Sequence, residues 1–270
     1  MNATGGIDSG TERVIARREG SIGWLVLNNP ARHNALSLVM YGAIERVVAT
    51  LEADPEVRVI VVTGAGERAF VSGADISEFA EKRATPAQIA EYDMLSERAS
   101  VALETVAKPT IAMIRGYCIG GGLDLALRTD LRIASEDSRF GVPAARLGLG
   151  YGFSDVRRLV DVVGPAYAKE ILFTGRQFTA GEALAMGLIH RVVPAATLSE
   201  GVAKLAETLA ANAPLTIRAM KRSIAEAVKD AGARDLAAVT ALVEACFDSA
   251  DYSEGRRAFM EKRRPDFRGR

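Results

Sequence analysis

The chain has 270 residues, enough to bury a sizeable core, and is 49% hydrophobic and 25% charged, as expected of a globular protein. Lys plus Arg and Asp plus Glu number 34 each, which argues against a nucleic-acid or anionic-membrane surface. No apolar run approaches bilayer-spanning length, and the two cysteines, Cys118 and Cys246, form neither a disulfide framework nor a metal site.

Residues 1–12 lack the apolar core of a signal peptide and read as a disordered leader. With both cysteines read as buried apolar thiols of a reducing compartment, the cytoplasm is the expected location. Residues 14–18 and 22–27 form two strands of a hairpin around Glu19-Gly20-Ser21, and Asn28-Asn-Pro30 breaks the second. Residues 34–51 carry apolar side chains at helical spacing, with Ser37 as N-cap. The apolar run at 57–62 is a strand buried on both faces, so strand–helix–strand predicts a right-handed parallel crossover. Trp24 reads as core.

A glycine-containing turn, Ala69-Phe-Val-Ser-Gly-Ala-Asp75, then leads to a short helical segment at 76–80. Thr85-Pro86 opens a helix to about residue 106. Strands follow at 110–114, 131–134 and 189–193. From residue 155 onward the pattern is almost wholly helical: 155–163, 165–173, 180–186, 198–212, 215–229, 234–249 and 253–262. Asp155 reads as the N-cap of the first. This shift predicts a core over 13–199 and a helical region over 200–270, whose surplus apolar faces point to a neighbouring subunit.

The stretch from Lys108 to Leu127 organises the rest. Its strand runs into Gly116 and Gly120-Gly121-Gly122, followed by helix-forming Leu123-Asp-Leu-Ala-Leu127. Glycines here either let the helix pack closely on the strand or let backbone N–H groups approach an anion or developing oxyanion. The lysine and hydroxyl of a phosphate loop and a GxGxxG fingerprint are both lacking. Asp124 lies about one helical turn inside the turn. His33 and His190 lie outside it and read as structural.

Two strand-to-glycine turns can supply the two donors of an oxyanion hole. With Asn28-Asn-Pro-Ala-Arg-His-Asn-Ala-Leu36, Gly116-Tyr-Cys-Ile-Gly-Gly-Gly-Leu-Asp124, Leu172-Phe-Thr-Gly175, Ala183-Leu-Ala-Met-Gly-Leu-Ile-His190 and Glu254-Gly-Arg-Arg-Ala-Phe-Met-Glu-Lys-Arg263, the chain resembles the crotonase (enoyl-CoA hydratase/isomerase) superfamily over residues 14–270. The resemblance implies an α/β fold, a crotonase-like ββα spiral core with a C-terminal helical trimerisation region, assembled as a homotrimer or dimer of trimers. It implies an acyl-CoA thioester substrate of the kind met in fatty acid metabolism, with coenzyme A part of the substrate, no separate cofactor and no metal.

By position, the family's oxyanion donors fall on the N–H groups of Ala74 and Gly121, within the loops of Asp75 and Gly120. The adenine end of coenzyme A falls near Ser72, Ala74 and Ile76, with Arg32 near the phosphates. Phe259 and Lys262 come from the C-terminal helix of the same or a neighbouring subunit. The hydratases' two glutamates fall on Asp124 and Ala144, and the isomerase acid on Gly152. Leu147-Gly-Leu-Gly-Tyr-Gly-Phe-Ser-Asp155 also resembles the methylmalonyl-CoA decarboxylase branch, where a tyrosine at the position of Tyr151 orients the substrate carboxylate; that branch has a histidine at the position of Ala74. Tyr151 can instead wall the acyl pocket, and Arg146 can pair with an acidic neighbour or a substrate carboxylate. Three readings follow: a hydratase-like lyase with Asp124 as acid/base, a decarboxylase of a malonyl-type CoA thioester using Tyr151, or a catalytically weak CoA-thioester binding protein.

Overall fold

A computed structural model describes residues 5–82 and 84–270. Strands β1 (Gly5–Ile7), β2 (Val14–Glu19) and β3 (Ile22–Leu27) pair antiparallel in sequence. Residues 5–7 therefore form an edge strand where a disordered leader was expected; their Gly-Gly-Ile sequence carries almost no strand signal. Helix α1 (Leu38–Ala53) crosses from β3 towards the next strand. Its N-cap is Ser37, but the Ser37 hydroxyl makes no cap bond; the Glu78 carboxylate accepts from Leu38 N instead, at 2.9 Å.

Three times the chain then leaves a long strand for a short one. Strand β4 (Val59–Gly64) steps to β5 (Ala69–Val71) and, past α2 (Phe79–Lys82), to α3 (Pro86–Thr105). Strand β6 (Thr110–Ile114) steps to β7 (Tyr117–Ile119) and α4 (Gly121–Leu127). Strand β8 (Leu131–Ser135) steps to β9 (Arg139–Gly141) and α5 (Ala144–Leu147). The long strands form a sheet in the order β1-β2-β3-β4-β6-β8-β11, where β11 is Arg191–Val193, parallel from β3 onward. The short ones form a second sheet, β10-β9-β7-β5, where β10 is Phe178–Thr179. This is the ββα repeat that the resemblance implied. The sequence reading ran from residue 114 straight to the glycine turn and so missed β7. Gly116, at φ 62, makes the step between sheets; a Cβ there would meet Arg68 O at 2.1 Å.

Both faces of the large sheet are covered, which is why β3 and β4 are continuous apolar runs. Leu25, Leu27, Ile60 and Val62 face α1 and the second sheet, in a cluster with Ile44, Val47 and Phe70. Ile22, Trp24, Val26, Val59 and Val61 face the opposite way, onto Leu198, Val202 and Ala206 of α8 (Leu198–Ala210). The expected division near residue 200 thus falls inside a helix that packs on the sheet. Between the sheets' last strands lie α6 (Phe153–Thr174), bent at Gly164 (φ 74) as the break between the two predicted helices requires, and α7 (Ala180–Ala185). The chain ends with α9 (Pro214–Ala227), α10 (Leu236–Phe247) and α11 (Ala250–Met260). Cys118 is buried, whereas Cys246, on α10, is only half-buried. No described helix is long and apolar enough to cross a membrane.

Candidate active site

Parallel strands β5, β7 and β9 end side by side, and the segments leaving them carry Ser72, Ala74 and Asp75, then Gly120 and Gly121, then Ala144. Such carboxyl ends are where α/β sheets gather ligands. Gly120 N donates to Gly141 O at 2.8 Å, tying the second segment to the third. The first is tied down by the loop 28–36. Asn34 is buried in a left-handed conformation that asparagine tolerates (φ 57). Its amide donates to Ala65 O and Ala69 O at 2.9 and 2.8 Å and its oxygen accepts from Asn29 N at 3.0 Å. Leu36 N then donates to Gly73 O and Asp75 N to Leu36 O, both at 2.8 Å, so Leu36 and Ala74 form a parallel bridge.

That bridge uses the atoms on either side of Ala74 N and leaves its N–H to the opposite side. There it meets the start of α4. A Cβ placed on Gly121 would lie 3.8 Å from Ala74 N and 3.7 Å from the Tyr41 hydroxyl. Among the described residues neither Ala74 N nor Gly121 N donates a hydrogen bond, the latter being the first residue of its helix. Gly120 adopts φ 54, ψ −121, open to glycine but strained for others. Gly122 permits the contact of α4 with β5: a Cβ there would lie 2.4 Å from Val71 O.

Asp124, in the first turn of α4, has a side chain only 14% exposed. Ser100 on α3 donates to its Oδ2 at 3.4 Å. Arg128 Nε faces its Oδ1 at 3.4 Å, as an ion pair without hydrogen-bond alignment. The Arg128 side chain, 4% exposed, also donates through Nη1 to Glu104 at 2.8 Å and through Nη2 to Asp155 at 3.0 Å. Arg158 pairs with Glu104 from the other side. Burial raises the Asp124 carboxyl from 3.8 to about 6; Arg128 opposes the rise and Asp155 adds to it. Tyr151 packs on the main core cluster, its hydroxyl pushed up by burial and by the charges of Asp124 and Asp155. Tyr41, also buried, is raised by burial and then by Tyr92, which it meets edge-on at 5.5 Å. Asp155 is therefore a partner of Arg128, not the N-cap: α6 starts at Phe153 with Gly152 as its cap.

Arg32, Ser72 and Asp75 also come together. Ser72 Oγ donates to Arg32 O at 3.2 Å, and Arg32 Nη1 approaches Asp75 Oδ1 at 3.4 Å. Ile76 beside them is exposed and Ala144 is buried. Phe259, 83% exposed, and Lys262 lie at the end of α11. The tail after α11 is anchored where Arg58, ahead of β4, donates to Phe267 O at 3.1 Å. Neither Phe259 nor Lys262 makes a hydrogen bond or ion pair with Arg32, Ser72 or Asp75 among the described residues. Arg146 is exposed with no ion pair among the described residues. His33 stacks on Tyr117 at 5.9 Å, and His190 Nδ1 accepts from Arg132 N at 3.1 Å. A concavity of about 570 Å³ lined by Arg58, Phe267 and Arg268 contains none of the expected site residues. Sequence reasoning missed Asn34, Glu104 and Arg128; the spacing of Arg128 four residues after Asp124 on one helix was the available signal.

The enoyl-CoA hydratase/isomerase family profile matches residues 17–270. A short-chain-enoyl-CoA hydratase of Clostridium acetobutylicum is 34% identical over 93% of this chain and 95% of its own. A crotonyl-CoA hydratase of Syntrophomonas wolfei is 33% identical over 95% and 98%. Among solved structures, a putative enoyl-CoA hydratase/isomerase family protein from Hyphomonas neptunium superposes with TM-score 0.90 at 40% identity, over 97% of this chain and 100% of that one. An enoyl-CoA hydratase/carnithine racemase from Magnetospirillum magneticum gives 0.90 at 36%, over 96% and 97%. With its fold, its paired turns and these matches along nearly its whole length, the chain belongs to the enoyl-CoA hydratase/isomerase family.

Proposed function

We propose that this protein is a lyase that adds water across the conjugated double bond of an acyl-CoA thioester. The observation that carries this reading is the meeting of two unbonded amides, of Ala74 and Gly121, beside the buried carboxyl of Asp124. Donors about 2.7–3.1 Å from a developing oxyanion stabilise it strongly, because they need no reorganisation in a site shielded from water. Asp124 takes a proton from water; the water oxygen bonds to the β-carbon; the π pair moves into an enolate held by the two amides; the proton passes to the α-carbon. One carboxyl thus serves as base and then acid, and burial lifts it towards the neutral range where both roles are accessible.

Two further features fit. Arg32 beside Ser72, Ala74 and Ile76 suits the phosphates and adenine of coenzyme A, with Phe259 and Lys262 supplied by a neighbouring subunit of a homotrimer or dimer of trimers. Tyr151 walls the acyl pocket. A malonyl-type carboxylate at Tyr151 would face Asp124 and Asp155, which disfavours decarboxylation. An inert binding protein would have no use for a raised carboxyl.

The test is turnover of crotonyl-CoA, followed as loss of enone absorbance, with methylmalonyl-CoA and CO₂ release in parallel. Hydration that stops in Asp124→Asn supports the reading. Hydration unchanged in that variant, or CO₂ release without hydration, overturns it.

A further inference from the structure

The position where hydratases carry their second glutamate is Ala144, which can move no proton, so the carboxyl chemistry near Asp124 must be found elsewhere. The neighbours of Asp124 come from every element packed on it. Helix α1 brings Tyr41; α3 brings Tyr92, Ser100 and Glu104; α4 itself brings Arg128; and the start of α6 brings Asp155 and Arg158, with Tyr151 just before. Of the two other acids, Glu104 is satisfied by two guanidinium groups, Nη1 of Arg128 and Arg158. Asp155 is different. Arg128 holds Asp124 on Nε and Asp155 on Nη2, at 3.4 and 3.0 Å, so two neighbouring nitrogens of one rigid fork carry the two carboxyls side by side. Asp124 Oδ1, on that side, is buried and accepts no hydrogen bond among the described residues.

We propose that Asp155 is a positioning residue for Asp124: the Arg128 fork holds the two carboxyls side by side, and with Asp155 in that place Asp124 serves alone as both base and acid. The inference rests on Asp124 being the acid/base but makes a claim of its own. A like charge this close makes Asp124 harder to ionise. Burial alone makes a carboxyl reluctant to ionise; the second charge makes Asp124, once ionised, a better acceptor for the proton of water, while the guanidinium keeps both acids in the fold. Asp155 touches no reacting atom in this scheme.

The test reads the Asp124 carboxyl directly, by ¹³C NMR titration of aspartate-labelled protein with the signal assigned from Asp124→Asn. In the wild type the signal should titrate near pH 6. Asp155→Asn should displace the titration to lower pH by about one unit, and Asp155→Glu should restore the wild-type curve. The acidic limb of kcat/KM for crotonyl-CoA should move with the NMR curve. An Asp124 curve unmoved in Asp155→Asn overturns the pair. If the NMR coupling is found but no hydration occurs, the pair stands and the hydratase reading falls; hydration without coupling has the reverse meaning.

Discussion

Asp124 is held where folding and catalysis ask for opposite things. Its carboxyl is raised from 3.8 to about 6, first by burial, so the native state binds its proton more tightly than the unfolded chain does. The stability this gives is complete below pH 3.8 and lost as pH rises through about 6. Asp124→Asn, which carries no charge at any pH, should therefore be more stable than the wild type at pH 8, by roughly 1–3 kcal/mol, with the gap closing towards pH 4. Urea unfolding at the two pH values measures it. The same variant should lose about 10²–10⁴-fold in kcat for hydration, the usual contribution of a positioned acid/base. Because the ionised form starts the proposed reaction, kcat/KM of the wild type should rise with pH through about 6; a flat profile from pH 5 to 8 would remove Asp124 from that role.

The glycines around Asp124 separate packing from chemistry. At Gly122 an added Cβ would lie 2.4 Å from the backbone of Val71, and strands do not yield cheaply. Gly122→Ala should cost about 1–3 kcal/mol, as overpacking usually does, and lower activity with it. At Gly121 the added Cβ meets only ordinary contacts, with Ala74 N and the Tyr41 hydroxyl, on backbone that any residue can adopt in a helix. Gly121→Ala should melt like the wild type yet lose at least about ten-fold in kcat, because the methyl crowds the Ala74 amide where the oxygen must sit; thermal melts beside initial rates distinguish the two cases. This contrast also marks what a sequence can reveal. Helix α1 was legible because its apolar spacing runs for several turns, α3 through Thr85-Pro86 at its start, β3 through its hairpin, and β4 because burial on both faces leaves a continuous apolar run. Strands β5, β7, β9 and β10 span three residues or fewer, too short for any period. The two turns were legible through their glycines, but their meeting depends on those short strands. The Arg128–Asp155 contact joins residues 27 apart in sequence, and no local pattern announces it.

At the scale of the whole molecule, the C-terminal helices carry more apolar surface than the chain can use. Helix α10 reads LAAVTALVEACF yet has no buried residue, with Leu236 61% and Phe247 60% exposed. Helix α9 adds Met220 and Ile224, with Val228 just after it, and α11 ends in exposed Phe259 and Met260. Exposed apolar side chains on three successive helices are what a subunit interface of the proposed assembly would cover. The same helices end near Phe259 and Lys262, which make no hydrogen bond or ion pair with the Arg32 cluster among the described residues. The assembly proposed above would meet both needs at once: in closed rotational symmetry each subunit would cover its neighbour's apolar helices and lend its α11 to the neighbour's coenzyme end. Light scattering should therefore give three or six chains per particle. Charges placed within the apolar faces, as in Ile224→Glu with Phe247→Glu, should release folded monomers, because two desolvated carboxylates cannot be accommodated in a packed interface. Those monomers should retain the amides and Asp124 but lose the borrowed contacts, so KM for the CoA thioester should rise by about ten-fold or more while kcat changes less, since binding energy remote from the reacting atoms is what has gone. A wild-type monomer with full activity would place Phe259 and Lys262 outside the site altogether.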